Sequence, residues 1–157
     1  MDLQQILALA GMLGSALMAG TFFAFSTFIM PALGQLAPAE GMRAMQRINV
    51  TVFHPLFMGT FFGTALVSVA ALALPWITGA DQPAWSWTGP ALYLIGVFGV
   101  TAAGNVPLNE RLKVADASQD AGRALWASCQ TPWTRWNHLR TLASLSALAA
   151  FGFSAAA

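Results

Sequence analysis

The side chains of this sequence that can do chemistry are few, and they gather. Asn49, His54, Asn105, Asn109, Asn137, His138 and Arg140 stand at one end of long apolar runs, where an uncompensated polar group is expensive and usually has a partner or a task. A guanidinium and several amides offer donors to a developing oxyanion, and histidine is the side chain whose ordinary pKa suits a base near neutrality. Placed on a helix at about 100° per residue, Trp133, Asn137, Arg140 and Ser144 share one stripe that continues through Ala147 and Phe151. An arginine facing lipid would snorkel, so company with Asn137 and Ser144 predicts that Arg140 turns inward. Thr101, Asn105 and Asn109 recur at four-residue steps on the side opposite Gly96 and Gly99; one side of that helix is expected to pack and the other to present amides. Pro107, between the two asparagines, removes a backbone donor and predicts a kink that frees a carbonyl near Thr101 to Ala103. Such backbone is tolerated in a membrane where it is buried or lines a cavity. As a set these residues point to a binding cavity. Taken singly, each also fits an interhelical clamp contributing about 0.6 kcal/mol per bond.

His54 and His138 fall at similar depth, the minimum geometry for a bis-histidine haem or a two-histidine metal site. On the helical wheel His138 faces away from Trp133 and Arg140, and carboxylates are sparse. The expectation is therefore no cofactor, with haem or a metal as the lesser alternative. The single cysteine, Cys129, excludes an intramolecular disulfide and any multi-cysteine metal site.

The elements that must position these groups follow from composition. Of 157 residues 57% are hydrophobic and only 8% are charged, against about 25% charged in soluble domains. A soluble globule and a disordered chain are excluded, and a net charge of +1 excludes a basic nucleic-acid binder. The chain reads as a single transmembrane domain over 1–157, an all-α four-helix bundle with spans at about 3–33, 56–77, 90–106 and 139–157. Every Lys and Arg lies between spans one and two or between span three and the start of span four. The positive-inside rule puts those connections in the cytoplasm and both termini outside, as expected for a multi-pass protein of a bacterial inner membrane.

Pro38 to Val52 predicts a helix lying on the inner leaflet, with Met42, Met45, Ile48 and Val52 on one side and Arg43 and Arg47 on the other. Ser118 to Cys129 predicts a second short helix, ended by Thr131-Pro132 before a new helix carries Trp133 inward. Residues 78–89 read as a turn without chemistry. Most of the six tryptophans read as belt anchors, with Trp76, Trp85 and Trp87 outside and Trp126, Trp133 and Trp136 inside. Ala8, Gly11, Ser15 and Ala19, the Gly59–Gly63 step, and Gly96, Gly99 and Ala103 are expected to be packing faces. The expected partners are the lipid bilayer and a small lipophilic molecule, with a homo-oligomer also admissible.

Phe28-Ile29-Met30-Pro31-Ala32-Leu33, Met45-Gln46-Arg47-Ile48-Asn49, Asn105-Val106-Pro107-Leu108-Asn109-Glu110-Arg111-Leu112 and Trp133-Thr134-Arg135-Trp136-Asn137-His138-Leu139-Arg140-Thr141 together resemble the anthrone oxygenase-like family of small four-span membrane proteins. The resemblance implies oxidation of an anthrone-type aromatic without metal or flavin, and it maps family positions onto Asn49, Asn105, Asn109, Trp133, Asn137 and Arg140. In the family pattern the position of His54 more often holds asparagine, which further disfavours a histidine-ligated metal. The resulting assignment gives catalysis to Arg140, Asn137 and His54, with His138 the other histidine able to act as base. Substrate contact falls to Asn49, Asn105, Asn109, Trp133, Trp136 and Ser144. Non-enzymatic binding or transport, and an assembly role, are the competing readings.

Overall fold

In the computed structural model, residues 1–79, 83 and 85–157 are described, and among them there is no strand. The helices are α1 (Leu3–Gln35), α2 (Pro38–Thr51), α3 (Pro55–Thr78), α4 (Trp85–Val114) and α5 (Asp120–Ala156). All but α2 are long and apolar enough to cross a membrane. Of the turn expected at 78–89, residues 80–82 and 84 lie outside the described residues.

Local chemistry sets the ends. Asp2 and Gln5 form a reciprocal capping box at the start of α1, with Gln5 N–H donating to Asp2 Oδ1 at 2.8 Å and Asp2 N–H to Gln5 Oε1 at 3.2 Å. Gly79 closes α3 with a φ of 68°, the left-handed conformation that glycine adopts without a Cβ penalty. His54 caps the other end of α3, its Nδ1 accepting from Leu56 N–H at 3.3 Å.

Two apolar clusters form the core. One joins α1, α3, α4 and α5 through Met18, Phe22, Phe61, Tyr93, Val97, Ala147 and Phe151. The other lies under α2, where Met42 and Met45 bury against Leu112, Trp126, Cys129 and Trp133. Close approach is specific: a Cβ on Gly11 would stand 2.6 Å from the Phe151 ring, and one on Gly14 would overlap Thr64 Oγ1. Ala8, Gly11, Ser15 and Ala19 are all buried, as the small-residue face predicts.

Several expectations need correction. α5 is one helix that runs through Pro132 and includes the segment expected as a separate short helix. The lost backbone donor is outweighed because Trp126 and Cys129 before the proline, and Trp133 after it, bury in the same cluster. The third span is longer than expected, and the break near Pro107 takes the form of π-helical turns at Leu92–Gly99 and Thr101–Asn105 rather than a simple kink. The Val106 N–H bonds to Thr101 O, five residues back, so the region's hydrogen bonding re-forms around the proline.

π-Helical winding also shifts the faces. Gly96 and Asn105 both turn toward α5, where a Cβ on Gly96 would stand 2.5 Å from Ala143 Cβ and Asn105 bonds to Trp133, while Gly99 meets no neighbouring helix. Gly59 and Gly63 have nothing within 4 Å of a built Cβ, so this step packs no helix of the chain. Trp126 and Trp133 are core residues rather than belt anchors, because α2 folds over them.

Candidate functional site

α5 is about 55 Å long at 1.5 Å per residue, far more than a hydrocarbon layer of about 30 Å. Arg140 lies sixteen residues before Ala156, about 24 Å along the axis, within the apolar length but near its basic end. The Trp133–Asn137–Arg140–Ser144 stripe faces the interior, with every member buried. Arg140 retains 6% exposure and stands at the junction of the two apolar clusters, its guanidinium carbon 4.3 Å from the centroid of the Phe22 ring and 5.3 Å from that of Trp133.

Its partners are neutral. Nη2 donates to Asn137 Oδ1 at 2.7 Å, Nη1 makes a long 3.3 Å bond to Thr101 Oγ1, and Nε is buried without a partner. Among the described residues the ion pairs are Lys113–Glu110 and Arg123–Asp120, both remote from this guanidinium in character and exposed. Asn137 is fixed from behind: its Nδ2 donates to Phe22 O at 2.7 Å and to Ser26 Oγ at 2.8 Å. Ser26 and Thr141 share a hydroxyl contact at 3.1 Å, and Ser144 Oγ donates to Arg140 O at 2.8 Å. The π turn of α1 at Phe25–Ile29 begins beside these contacts, immediately after the Phe22–Ala24 turn that supplies the carbonyl.

The two asparagines of α4 serve Trp133. Asn105 Nδ2 donates to Trp133 O at 3.1 Å, and Trp133 Nε1–H donates to Asn109 Oδ1 at 2.8 Å. With backbone and indole both held, and Phe25 tilted against it at 5.5 Å between centroids, the Trp133 ring has a fixed orientation.

Arg140, Thr101, Trp133 and Asn109 line a cavity of about 880 Å³ between α1, α2, α3, α4 and α5, within the usual range for small-molecule sites. Phe22, Phe25, Phe57, Phe61 and Phe62 supply an aromatic wall, and Arg140, Thr101 and Trp133 close the deep end. Arg43, Arg47, Glu110 and Lys113 lie on its wall at the basic end of the bundle, and Asn49 of α2 also lines it. Asn49 Nδ2 is buried and unpartnered.

Of the residues singled out in the sequence, Arg140, Trp133, Asn49 and Asn109 meet at this cavity. Asn105, Asn137 and Ser144 are buried behind its wall. Trp136 is 42% exposed and packs over Gly104, away from the cavity. His54 and His138 are exposed and do not line it, and among the described residues no group of three metal-binding side chains comes together. Sequence reasoning took the phenylalanines as a group able to hold an aromatic ring without saying which, and did not place Glu110, the one carboxylate on the cavity wall among the described residues, in the site. Glu110 adjoins Asn109 in the chain, which was its available signal.

Fold and site together define a small helical membrane protein with an aromatic-walled cavity closed by a buried guanidinium. The sequence pattern of the anthrone oxygenase family matches residues 52–150, and the chain belongs to that family. The match takes in α3, α4 and most of α5, while α1 and α2, with Phe22, Asn49 and two of the similar motifs, lie outside it. No curated protein and no solved structure matches the chain.

Proposed function

We propose that the protein is an oxygenase that oxidises a flat, lipophilic anthrone-type or quinone-like aromatic bound in the cavity, with Arg140 as the group that stabilises negative charge on the substrate oxygen. The observation that carries this reading is a guanidinium, buried and without a carboxylate partner among the described residues, beside the aromatic wall of the cavity. A buried charge normally demands a counter-ion, and an enolate oxygen would supply it during turnover. The cation over the Phe22 and Trp133 rings is also partly stabilised by their π faces, which keeps the empty site tolerable.

The chemistry asks little of the protein beyond binding and electrostatics. A proton leaves the methylene carbon for a base, and the electron pair delocalises onto the carbonyl oxygen as an enolate. The enolate gives one electron to dioxygen, and the resulting carbon radical and superoxide combine to a peroxide. That peroxide takes the proton back from the base, and loss of water with the second carbon-bound hydrogen yields the carbonyl, so one anthrone and one dioxygen give one quinone and one water. The reductant is the substrate, so this route calls for no resident cofactor. Arg140 lowers the barrier to the first step by favouring charge on oxygen. Asn137 holds the guanidinium, and Asn105 and Asn109 hold the Trp133 ring against the aromatic body. His54 and His138 stand outside the cavity, so in this reading the proton passes to Glu110 or to water beside it. The basic end of the bundle faces the cytoplasm of a bacterial inner membrane, and the substrate reaches the cavity from that leaflet.

Purified protein in lipid nanodiscs, given an anthrone under air, is expected to consume dioxygen faster than empty discs and to form quinone in equal molar amount. Arg140→Gln should lose about 10²- to 10³-fold in rate, the usual effect of removing an oxyanion donor. A variant as fast as wild type would remove Arg140 from the mechanism.

A further inference from the structure

Resting on the reading of the cavity as a site for a flat aromatic, the substrate's other end can be assigned from the groups around the mouth. Lys113 is paired there with Glu110 at 3.2 Å. Arg43 and Arg47 have no such partner: both line the cavity, and neither makes a hydrogen bond or ion pair with any described residue. On the same wall Val50 and Phe53 are apolar and strongly exposed. The opening therefore sets uncompensated positive charge beside an apolar rim, with Arg47 one helical turn before Val50 on α2, and the closed end sets a further cation, Arg140, behind an aromatic belt. A neutral ligand would leave the outer charge unused, whereas an amphiphile with an ionised group at one end of its ring system would meet both.

We infer that the cavity selects aromatic acids: flat ring systems that carry a carboxylate, with the rings against the phenylalanine wall, the reacting oxygen at Arg140 and the carboxylate at Arg47. The carboxylate docks and takes no part in the oxidation, so it marks the substrate class without changing the reaction.

The test compares 2-anthracenecarboxylate with 2-anthracenemethanol, which share a ring system and differ in charge. Binding to the full chain is read by tryptophan quenching in nanodiscs of zwitterionic lipid at neutral pH, corrected for uptake into empty discs. Wild type should bind the carboxylate about three- to fivefold more tightly, the upper part of the range of an exposed ion pair. Arg47→Gln should bring the ratio to about one, Arg47→Lys should keep most of it, and Arg111→Gln, a charge at the same end that does not line the cavity, should leave it intact. Equal binding of the two probes by wild type overturns the inference and leaves Arg47 as a headgroup contact. A preference that survives in Arg47→Gln and vanishes in Arg140→Gln also overturns it, since the single anion would then sit at the closed end. So does a preference lost equally in Arg111→Gln, which would be a surface-potential effect. Oxygen uptake with an unsubstituted anthrone tests the oxygenase reading separately: normal uptake without a carboxylate preference sinks this inference alone.

Discussion

Replacing Asn137 by leucine should destabilise the bundle more than removing the charge that Asn137 serves. The side chain makes three short bonds, from Nδ2 to Phe22 O and Ser26 Oγ and from Arg140 Nη2 to its Oδ1. Losing the two neutral bonds costs about 0.6 kcal/mol each at membrane depth. Leaving a guanidinium N–H buried and unpaired adds about 1 to 3 kcal/mol, giving a total of about 2 to 4 kcal/mol. Arg140→Met leaves Asn137 Oδ1 without its donor, at about 1 to 3 kcal/mol, but it relieves about 2.5 to 3.5 kcal/mol of charge burial on insertion scales. The net runs from about 2.5 kcal/mol of stabilisation to about 0.5 kcal/mol of loss, so Arg140→Met should be at most about 0.5 kcal/mol less stable than wild type. In the double variant no buried N–H is left unpaired, and at least half of the Asn137→Leu loss should return, a coupling of about 2 kcal/mol of the kind a double-mutant cycle resolves. Reversible unfolding in mixed detergent micelles measures all four proteins. The argument is refuted if Asn137→Leu is as stable as wild type, or if Arg140→Met falls further than Asn137→Leu.

The remaining predictions concern packing and pH. Gly14→Ala should cost about 1 to 3 kcal/mol because its Cβ overlaps Thr64 Oγ1 and stands 3.0 Å from Thr64 Cβ and Cγ2, whereas Gly63→Ala, with nothing within 4 Å, should be neutral or slightly stabilising; equal effects in thermal unfolding would contradict the assigned α1–α3 contact. Pro132→Ala should raise stability, by up to about 3 kcal/mol, because α5 is already continuous there and regains a backbone donor; a loss of stability would mean that the proline is needed to shape the helix. Asp116 is held below the ordinary carboxylate pKa of 3.8, chiefly by the Ser118 hydroxyl at 2.7 Å and then by the Ser118 N–H at 2.8 Å. A depressed folded pKa means stabilisation that is present above 3.8 and lost as pH falls through the lower folded value. The gap in thermal midpoint between wild type and Asp116→Asn should therefore be constant near neutrality and close in strong acid; a gap that widened on acidification would reverse the sign of this reasoning.

What the sequence made legible, and what it hid, divides along physical lines. Membrane class followed from sparse charge, and the inward face of α5 followed from four residues at α-helical spacing, because both depend only on composition and a regular 3.6-residue period. The Gly96 and Asn105 faces were misjudged because that period fails in α4, where π turns bring both residues toward α5. Pro132 misled for a different reason. A local stop signal competes with burial of Trp126, Cys129 and Trp133 in one cluster, and that competition is decided by α2, a segment some eighty residues away. Gly59 and Gly63 show the converse, since a pairing motif says that a close approach is permitted and not that a partner is present.

The asparagines bear most directly on function. Their positions marked the end of the bundle that holds the cavity, but type and spacing could not tell a ligand's partner from a side chain's. Asn105 and Asn109 turn out to hold Trp133, and Asn137 holds Arg140. The amides thus act mainly through the two larger groups that meet the cavity, and this predicts an order of sensitivity. Asn109→Ala frees the Trp133 indole N–H but leaves the guanidinium in place, so it should raise the apparent KM for an aromatic substrate more than it lowers kcat. Arg140→Gln should do the reverse, because charge stabilisation is needed most in the transition state. Steady-state oxygen uptake separates the two, and matching effects of both variants on kcat alone would mean that Asn109 touches the reacting oxygen after all.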